Sequence, residues 1–555
     1  MKIGIILLTL IISGSVLSAQ TAPDTYWVQF TDKNLSPYTI DHPEAFLSQR
    51  ALERRERFGI EIDKLDIPVN AFYVDSLKSL GLQILAKSKW FNAVTIYTTD
   101  TLLVDTLGYI SFVRQVKALR KKIPIKQAND KFNRESFKTS THQTQTDTTL
   151  LDYGQAAWQV GMVNGQVLHN QGYQGQGMVI AVLDGGFYNA NQNPAFDSLW
   201  AHNQILDTWD FVNRGPVTFD QHRHGAQVLS IMGANLPGRL IGTAPKASYI
   251  LLVSENTNSE YLVEEDYWTA AAEFADSAGA DLINSSLGYS IFLDTLTNHT
   301  YADMDGNTTR ITRAADIAAS KGILVVSSAA NEGMTSWHYI TAPADADSIL
   351  TVGAVDSMGV YAPFSSTGPT YDGRIKPNIT AQGMWTALSA TNGSIIRGNG
   401  TSFSSPLICG MTACLWQINK SVNPADLIHL IEQSASQYEH PDSLLGYGIP
   451  DYGKALFLVQ GLNPVRLDQE HLIRSFPNPF TGSLVVNFYT PQHQEITIEL
   501  MQLDGRICYR RTLQVGSTSL NQISLKDLES LPAGVLLLRI LTQKGAYHQR
   551  IIHTR

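Results

Sequence analysis

The sequence has few cysteines and no long apolar run beyond its first residues. Its 555 residues include three cysteines, and Cys409 and Cys414 lie five positions apart in a predicted helix, where their side chains point in different directions. A dense disulfide framework, typical of small secreted proteins, is therefore excluded. Because a membrane-spanning helix needs about 20 consecutive apolar residues, the sequence also excludes a polytopic membrane protein.

The chain carries no excess of basic residues. Its 41 Lys and Arg against 50 Asp and Glu give a net charge of −9, which argues against nucleic-acid binding. Hydrophobic residues make up 43% of the chain, which excludes a wholly disordered protein. At about 150 residues per domain, the length predicts roughly three or four domains.

Only the N-terminus looks like a targeting segment. Met1-Lys2 is followed by the apolar run 3–12 and by small residues up to Ala19. This succession is typical of a cleaved signal peptide, whereas a membrane anchor would need a longer apolar run. We expect residues 1–19 to be removed on export and no transmembrane segment to remain. The mature protein would then be secreted or held on the outer cell surface.

Residues 20–125 form the first predicted domain, a small α+β unit. Strand patterns and helical patterns alternate in it, with strands at 26–30, 82–86, 93–97 and 110–116 and helices at 42–57 and 71–80. The basic stretch 117–126 ends this unit, and the polar residues 126–150 predict a linker. A basic stretch before a linker is typical of a processing site, although a solvated charged surface has the same composition.

The rest of the chain divides into two further domains. Residues 151–460 alternate helical patterns with short apolar runs, at 178–183, 248–253, 281–285, 323–327 and 349–355. This alternation predicts an α/β domain with a doubly wound parallel sheet. After a second linker, 461–474, residues 475–555 switch to period-two patterning with Gly and Pro turns, which predicts a small all-β sandwich.

Polar residues at element ends of the central domain can carry chemistry. Asp184 ends one apolar run, Asn331 follows another, and His224 opens an apolar segment. In a parallel sheet such residues collect at the carboxyl edge, where a carboxylate, an imidazole and an amide donor can meet. Each has an ordinary alternative. Asp184 precedes glycine and fits a turn, and His224 with His222 fits a polar loop or a metal site, although no suitably spaced further ligand appears.

Ser402 lies in a run of small residues, Gly400 to Pro406, at the start of the apolar helical pattern 407–416. The exposed N–H groups and the positive end of a helix dipole favour a developing oxyanion near such a serine. An ordinary N-cap serine is the alternative.

The order of these residues along the chain, Asp184, His224, then Ser402, is that of the subtilisin version of the serine triad. Residues 151–460 resemble the subtilase (S8) family of serine peptidases. The resemblance extends to Gly242-Thr243-Ala244-Pro245, Asn284-Ser285-Ser286-Leu287-Gly288, Val352-Gly353-Ala354-Val355, Phe364-Ser365-Ser366-Thr367-Gly368-Pro369, Lys376-Pro377 and Gly446-Tyr447-Gly448.

The resemblance implies a secreted serine endopeptidase that cleaves polypeptides through an acyl-enzyme. Ser402 would be the nucleophile, His224 the general base and then acid, and Asp184 the residue that orients the imidazole. Asn331 and the backbone N–H of Ser402 would form the oxyanion hole. Ser286, Leu287 and Gly288 would pair with the substrate backbone, and Ala329 and Ala330 would line the pocket.

Three residues depart from the family pattern. Gly185 stands where Ser or Thr usually follows the catalytic Asp, and Ala226 stands where Thr or Ser usually follows His-Gly. Ala330 replaces the glycine usual before the oxyanion Asn and is expected to narrow the primary specificity pocket. None of the three removes a catalytic group, so they bear on rate and specificity rather than on the reaction.

We expect the chemistry to require no cofactor. Asp303, Asp305 and Asn307 precede or follow a Gly turn and offer oxygen ligands suited to a structural Ca²⁺, and subtilases often carry calcium. A polar surface loop is the alternative explanation of this cluster.

The flanking domains also carry resemblances. Residues 25–117 resemble subtilase propeptides, which block the cleft and assist folding. Residues 475–555 resemble the C-terminal sorting domains of the type IX (Por) secretion system, through Phe476-Pro477-Asn478-Pro479-Phe480, Asp504-Gly505 and Leu531-Pro532-Ala533-Gly534. An adhesive or carbohydrate-binding sandwich is the alternative for the last domain.

The implied partners are polypeptide substrates, the chain's own propeptide and the type IX machinery, and not nucleic acid. For the whole chain, the alternative is a catalytically weak or silent subtilase scaffold that acts as a cell-surface binding protein.

Overall fold

A computed structural model describes residues 23–34, 36–121, 132, 137–139, 151–460, 473–490, 494–515, 519–543 and 545–554. The predicted signal peptide, residues 1–19, lies outside these ranges, as do most of the two predicted linkers. Within the described residues no helix is long and apolar enough to cross a membrane. All three cysteines are free, so Cys409 and Cys414 do not pair, as the sequence predicts.

The N-terminal unit is built on a four-stranded antiparallel sheet in the strand order β2-β3-β1-β4. Its elements are β1 (Pro23–Phe30), α1 (Gln49–Phe58), α2 (Ala71–Ser79), β2 (Gln83–Ser88), β3 (Ala93–Tyr97), α3 (Thr101–Leu107) and β4 (Val113–Lys121). Ser48, Asn70 and Asp100 cap the three helices, because each side chain accepts a hydrogen bond from a backbone N–H of the first turn. The α+β prediction is confirmed, and α3 is an addition to it.

The central unit is built on seven parallel strands in the order β14-β13-β12-β11-β6-β10-β7. Its strands are β5 (Phe137–Thr139), β6 (Val179–Asp184), β7 (Ile205–Asp210), β8 (Asn235–Leu236), β9 (Leu240–Ile241), β10 (Ser248–Val253), β11 (Leu282–Ser285), β12 (Leu324–Ser328), β13 (Leu350–Val355), β14 (Ile379–Gln382), β15 (Thr386–Ser389) and β16 (Ile395–Gly398). Both faces of the sheet are covered: in β6, Ile180 and Val182 point into one core and Ala181 and Leu183 into the other.

Nine helices of the described central unit surround this sheet: α4 (Ala157–Met162), α5 (Gln166–Asn170), α6 (Asp197–Ala201), α7 (His224–Gly233), α8 (Val263–Ala278), α9 (Arg310–Ser320), α10 (Thr401–Trp416), α11 (Pro424–Ser434) and α12 (Tyr452–Val459). Every residue of α10 is buried. The doubly wound parallel sheet predicted from the alternation of runs is confirmed.

Two differences from the sequence prediction concern the start of α10 and the strand β5. The helix predicted from residue 407 begins at Thr401, so Pro406 lies inside it. β5 lies within residues 126–150, which the sequence predicts as a linker, and pairs antiparallel with β16. Backbone pairing requires no apolar periodicity in the added strand, which is why the pattern does not reveal it.

The C-terminal unit is a β-sandwich, as predicted. Antiparallel sheets of three and four strands, in the orders β17-β18-β21 and β20-β19-β22-β23, enclose a separate apolar core. The strands are β17 (Ile473–Phe476), β18 (Leu484–Thr490), β19 (Gln494–Gln502), β20 (Ile507–Val515), β21 (Ser519–Leu525), β22 (Gly534–Thr542) and β23 (Gly545–His553).

The N-terminal unit docks on α8 of the central unit. Its Trp27, Trp90 and Phe91 join the apolar core that also contains Trp268 of α8. Gly279, at the end of α8, has a φ of +88°, and a Cβ there would lie 2.7 Å from the Cβ of Arg50. Glycine therefore both ends α8 and lets α1 approach it closely.

Buried charges reinforce this docking. Arg54 and Arg55 of α1 bind Asp276 of α8 at 2.5 and 2.8 Å, and Lys89 donates to the same carboxylate at 3.1 Å. Glu273 accepts hydrogen bonds from the backbone N–H of Lys89 and Trp90 at 2.8 and 3.0 Å. These two carboxylates of α8 are thus paired with cations and N–H donors of the N-terminal unit.

Candidate active site

The candidate residues meet at the carboxyl edge of the central sheet. Asp184 is the last residue of β6, which lies between β11 and β10, and His224 is the first residue of α7. Asn331 follows β12 by three positions, and Ser402 is the second residue of α10. Strand ends and helix beginnings therefore supply all four side chains, as expected for a doubly wound sheet.

Asp184 and His224 form a fully buried pair. The Nδ1 of His224 donates a hydrogen bond to the Oδ1 of Asp184 at 2.7 Å, and both side chains are 0% exposed. The backbone N–H of Gly185 donates to the same oxygen at 2.7 Å. Because a carboxylate only accepts, the Nδ1 of His224 carries the proton and the Nε2 of the neutral ring is left as the basic atom.

The backbone carbonyl of Ser402 accepts a hydrogen bond from outside its own helix. Pro406 has no N–H, so the carbonyl of Ser402, four residues earlier, receives no hydrogen bond from it within α10. The hydroxyl of Ser286 donates to that carbonyl instead, at 3.0 Å. This contact joins the predicted substrate-binding segment directly to the candidate nucleophile.

Asn331 is oriented by the residue before Ser402. Its carboxamide oxygen accepts from the backbone N–H of Thr401 at 2.9 Å and from the Thr401 hydroxyl at 3.0 Å. With the oxygen held by Thr401, the Nδ2 group is the end of the carboxamide that can donate to a substrate oxygen. This is the orientation that an oxyanion-hole amide requires.

The predicted substrate-binding residues also lie together. Leu287 and Ala329 are buried, and a Cβ added at Gly288 would lie 3.4 Å from the Cβ of Ala330 and 2.2 Å from the Oγ1 of Thr341. The two segments therefore face each other closely, and any side chain at position 288 would fill the space between them. Ala330 has a φ of +81°, a conformation that costs an L-residue roughly 1–2 kcal/mol.

Phe132 is a neighbour of the site to which the sequence pattern assigns no role, and it contacts His222, which the sequence offers only as part of a polar loop or a metal site. The ring of Phe132 stacks on that of His224, with 3.8 Å between centroids and 16° between planes. It also stacks on the ring of His222, at 5.0 Å and 25°. The one available signal is an aromatic residue in the otherwise polar stretch 126–150, and no local pattern ties it to a histidine 92 positions later.

The predicted calcium ligands have local hydrogen-bonding roles. Asp303 accepts from the backbone N–H of Thr300, and Asp305 accepts from the N–H groups of Asn307 and Thr308 at 2.8 Å. Among the described residues, the one group of three His, Cys, Asp or Glu side chains close enough to share a metal is Glu255, Glu260 and Glu264. Calcium binding at residues 303–307 stays a prediction, to be tested by the effect of a chelator and of added calcium on the thermal midpoint.

Family comparisons agree with the three structural units. Residues 175–448 match the model of the subtilase family, peptidase S8. Residues 25–136 match the peptidase S8 propeptide domain of Bacteroidota. Residues 474–554 match the secretion system C-terminal sorting domain.

Individual relatives are proteases. The chain is 28% identical over 300 residues to a thermostable alkaline protease of Halalkalibacterium halodurans, covering 54% of this chain and 73% of that protein. It is 27% identical over 326 residues to subtilisin E of Bacillus subtilis, covering 58% and 75%. The epidermin leader peptide processing serine protease of Staphylococcus aureus has the same fold, with a TM-score of 0.52, 18% identity, and coverage of 79% of this chain and 99% of that structure.

Proposed function

The chain belongs to the subtilase family of serine peptidases, and we propose that Asp184, His224 and Ser402 form its catalytic triad and cleave polypeptides through an acyl-enzyme. The observation that carries this proposal is the buried 2.7 Å hydrogen bond from the Nδ1 of His224 to Asp184. It holds the imidazole by its Nδ1, which leaves the Nε2 as the atom that can accept a proton from a nucleophile.

The reaction follows from the roles of these groups. His224 takes the proton of Ser402 as the hydroxyl attacks the substrate carbonyl, and then gives it to the leaving amine. Asp184 holds the imidazole in place and stabilises its protonated form. Asn331 and the N–H of Ser402 donate to the oxyanion, and water then hydrolyses the acyl-enzyme by the same steps.

The substrate is recognised first as a peptide backbone. Ser286, Leu287 and Gly288 follow β11, and an extended peptide can add to such an edge through main-chain hydrogen bonds. The apposition of Gly288 and Ala330 supports a narrow pocket for the side chain before the cleaved bond.

The N-terminal unit restrains the enzyme in the precursor. It matches a peptidase propeptide domain and docks on α8 through buried charges, and the Phe132 ring that follows it covers one face of the His224 ring. In this state the proposed base is 0% exposed. The C-terminal sandwich is a secretion sorting domain and indicates export by the type IX system to the surface or the medium. We propose that the type IX machinery is its partner and that the signal peptide 1–19 is removed first.

The direct test compares hydrolysis of a denatured protein substrate by the mature wild-type enzyme and by three single variants, Ser402→Ala, His224→Ala and Asp184→Asn. Loss of any triad member is expected to lower turnover by about 10⁴–10⁶-fold. Wild-type protein without peptidase activity would favour the alternative, a silent scaffold that binds at the cell surface.

A further inference from the structure

One side of the candidate site is occupied by an aromatic side chain of the same chain. The Phe132 ring lies against two imidazoles, those of His222 and His224. The backbone N–H of His224 donates to the Nδ1 of His222 at 3.2 Å, which holds the second imidazole beside the first. Rings in contact at these separations bury their aromatic faces against one another, which removes apolar area from water. The two histidines therefore form an aromatic-binding wall next to the proposed base.

Gly185 leaves the opposite side of this pocket wide enough for the Phe132 ring. A Cβ at position 185 would lie 3.3 Å from the Cε2 of Phe132 and 2.6 Å from the Cγ2 of Thr257. The φ of Gly185 does not lie in the left-handed region, so the backbone does not require glycine there. What glycine provides is space, and this space is filled by Phe132 and by Thr257.

We propose that the pocket formed by Gly185, His222, His224 and Thr257 selects an aromatic side chain of the polypeptide substrate, and that Phe132 is its occupant in the precursor. This inference rests on the proposed function and adds a side-chain preference to it. His222 acts as a specificity residue that supplies the second stacking face, and Gly185 sets the width of the pocket.

The position of Phe132 also bears on maturation. Phe132 lies at His224, while Phe137–Thr139 pair with Ile396–Gly398, and Gly398 precedes Ser402 by four positions. The two described parts of this segment thus contact the proposed base and the strand that precedes the helix of Ser402. We therefore place the first maturation cut between Phe132 and Phe137, and not in the basic stretch 117–126. The match to the propeptide domain, which ends at residue 136, agrees with this placement.

The first experiment moves a single Phe along a neutral peptide to identify the substrate position whose side chain enters the pocket. It then measures kcat/KM of the mature enzyme on two peptides that carry Phe or Ala at that position. We expect Phe to be preferred over Ala by about ten-fold or more, since even one methylene in an apolar pocket changes kcat/KM by about 10–200-fold. Gly185→Ala should lower this Phe/Ala ratio by about three-fold or more. Gly215→Ala is the matched control and should keep the ratio, because a Cβ at position 215 meets no atom within 4 Å.

The second experiment uses the full-length precursor and does not depend on the folding of the Gly185 variant. Phe132→Ala should slow appearance of the mature form by about ten-fold, since the pocket loses its aromatic occupant. Phe132→Tyr should restore the rate, and N-terminal sequencing should place the first cut between residues 132 and 137.

Equal cleavage of Phe and Ala peptides, or a first cut in 117–126 at an unchanged rate in Phe132→Ala, would overturn the inference while leaving the peptidase function intact. An enzyme that cleaves no peptide and does not mature would contradict the proposed function itself.

Discussion

At the residue scale, the orientation of Asn331 depends on its neighbour Thr401. Both bonds to its carboxamide oxygen come from Thr401, one from the backbone and one from the hydroxyl. The carboxamide is therefore fixed before substrate arrives, and its donor group costs no reorganisation when negative charge develops on the substrate oxygen.

Replacing Asn331 by Ala should lower kcat by about 10²–10³-fold with little change in KM, because the hydrogen bond forms fully only in the transition state. Loss of the corresponding asparagine of subtilisin lowers kcat by this factor, and the test is whether loss of Asn331 lowers kcat by as much. Thr401→Val provides the graded comparison, since it removes one of the two bonds that orient the amide. Steady-state kinetics on one peptide measure both variants, and a large rise in KM at unchanged kcat would contradict the assigned role.

The sequence identifies the four candidate side chains because each lies at the end of an apolar strand or at the start of a helix. The order of Asp184, His224 and Ser402 along the chain then indicates a serine triad. It does not identify the contact of Phe132 with His222 and His224. That contact joins a polar stretch without periodicity to a distant loop, and no local pattern encodes such a pairing. The role of Ser286 as a hydrogen-bond donor to Ser402 is hidden for the same reason.

At the element scale, the boundaries of the buried strands follow from their apolar runs. The strands predicted at 178–183 and 248–253 are observed at Val179–Asp184 and Ser248–Val253. The pattern does not predict β7 and β14, because β7 is a partly exposed edge strand and β14, Ile-Thr-Ala-Gln at the other edge, has no two apolar residues in succession. It places the start of α10 too late, because a proline in a helical pattern normally marks a boundary.

Ser286→Ala should act on α10 as well as on substrate binding. It leaves the carbonyl of Ser402, buried in the first turn, without the donor that replaces the missing N–H of Pro406. An unsatisfied buried carbonyl costs about 1–3 kcal/mol, so the free energy of unfolding of the central domain should fall by that amount. Denaturant unfolding of the Ser402→Ala precursor, with and without the second change, measures it. Ser394→Ala, which removes an exposed hydrogen bond to Asn392, is the control and should have an effect below about 0.5 kcal/mol.

The contact of α1 with α8 depends on Asp276. Burial would raise the pKa of this carboxyl, but Lys89, Arg54 and Arg55 outweigh burial and lower the pKa to about 2. Since the pKa is depressed in the docked state, the stabilisation is fully present above the ordinary value of 3.8 and is lost as the pH falls toward 2. Mild acid should therefore leave this contact intact.

Asp276→Asn leaves the buried cations Arg54 and Lys89 without their carboxylate and Arg55 with Asp66 alone, and should weaken docking by about 3–5 kcal/mol. Hydrogen exchange of α1 amides in the Ser402→Ala precursor reports this opening, and protection should fall by about two to three orders of magnitude. Asp75→Asn, which breaks an exposed pair with Lys78 at 3.0 Å, is the control and should change protection by about ten-fold at most. Equal effects of the two variants would show that the buried network does not hold the N-terminal unit.

At the scale of the whole molecule, three units with different roles share one chain, and their succession is readable from composition and patterning alone. Their mutual arrangement is not readable in this way, because the docking of the N-terminal unit rests on ion pairs of residues that lie far apart in the chain, from Arg50 to Lys321. In the sequence, Arg50, Arg54 and Lys321 look like ordinary exposed cations of amphipathic helices. Only the contact between the units shows that they lie at an interface.

This arrangement leads to a prediction about maturation. If the molecule cleaves itself, the Ser402→Ala precursor should retain its N-terminal unit covalently when it is purified, whereas the wild type should lose it. Intact-mass measurement distinguishes the two forms. Trimming of the Ser402→Ala protein in isolation from other proteases would contradict self-processing, and trimming only after wild-type enzyme is added would support cleavage between molecules.

The proposed function depends above all on Ser402 being the nucleophile of a working triad. Labelling of the mature protein with a fluorophosphonate probe, followed by peptide mapping of the adduct, is the sharpest test of that role. We expect one adduct per molecule, located on Ser402, and none in the Ser402→Ala or His224→Ala proteins. A mature wild-type protein that stays unlabelled, or that carries the label on another residue, would contradict the proposed triad.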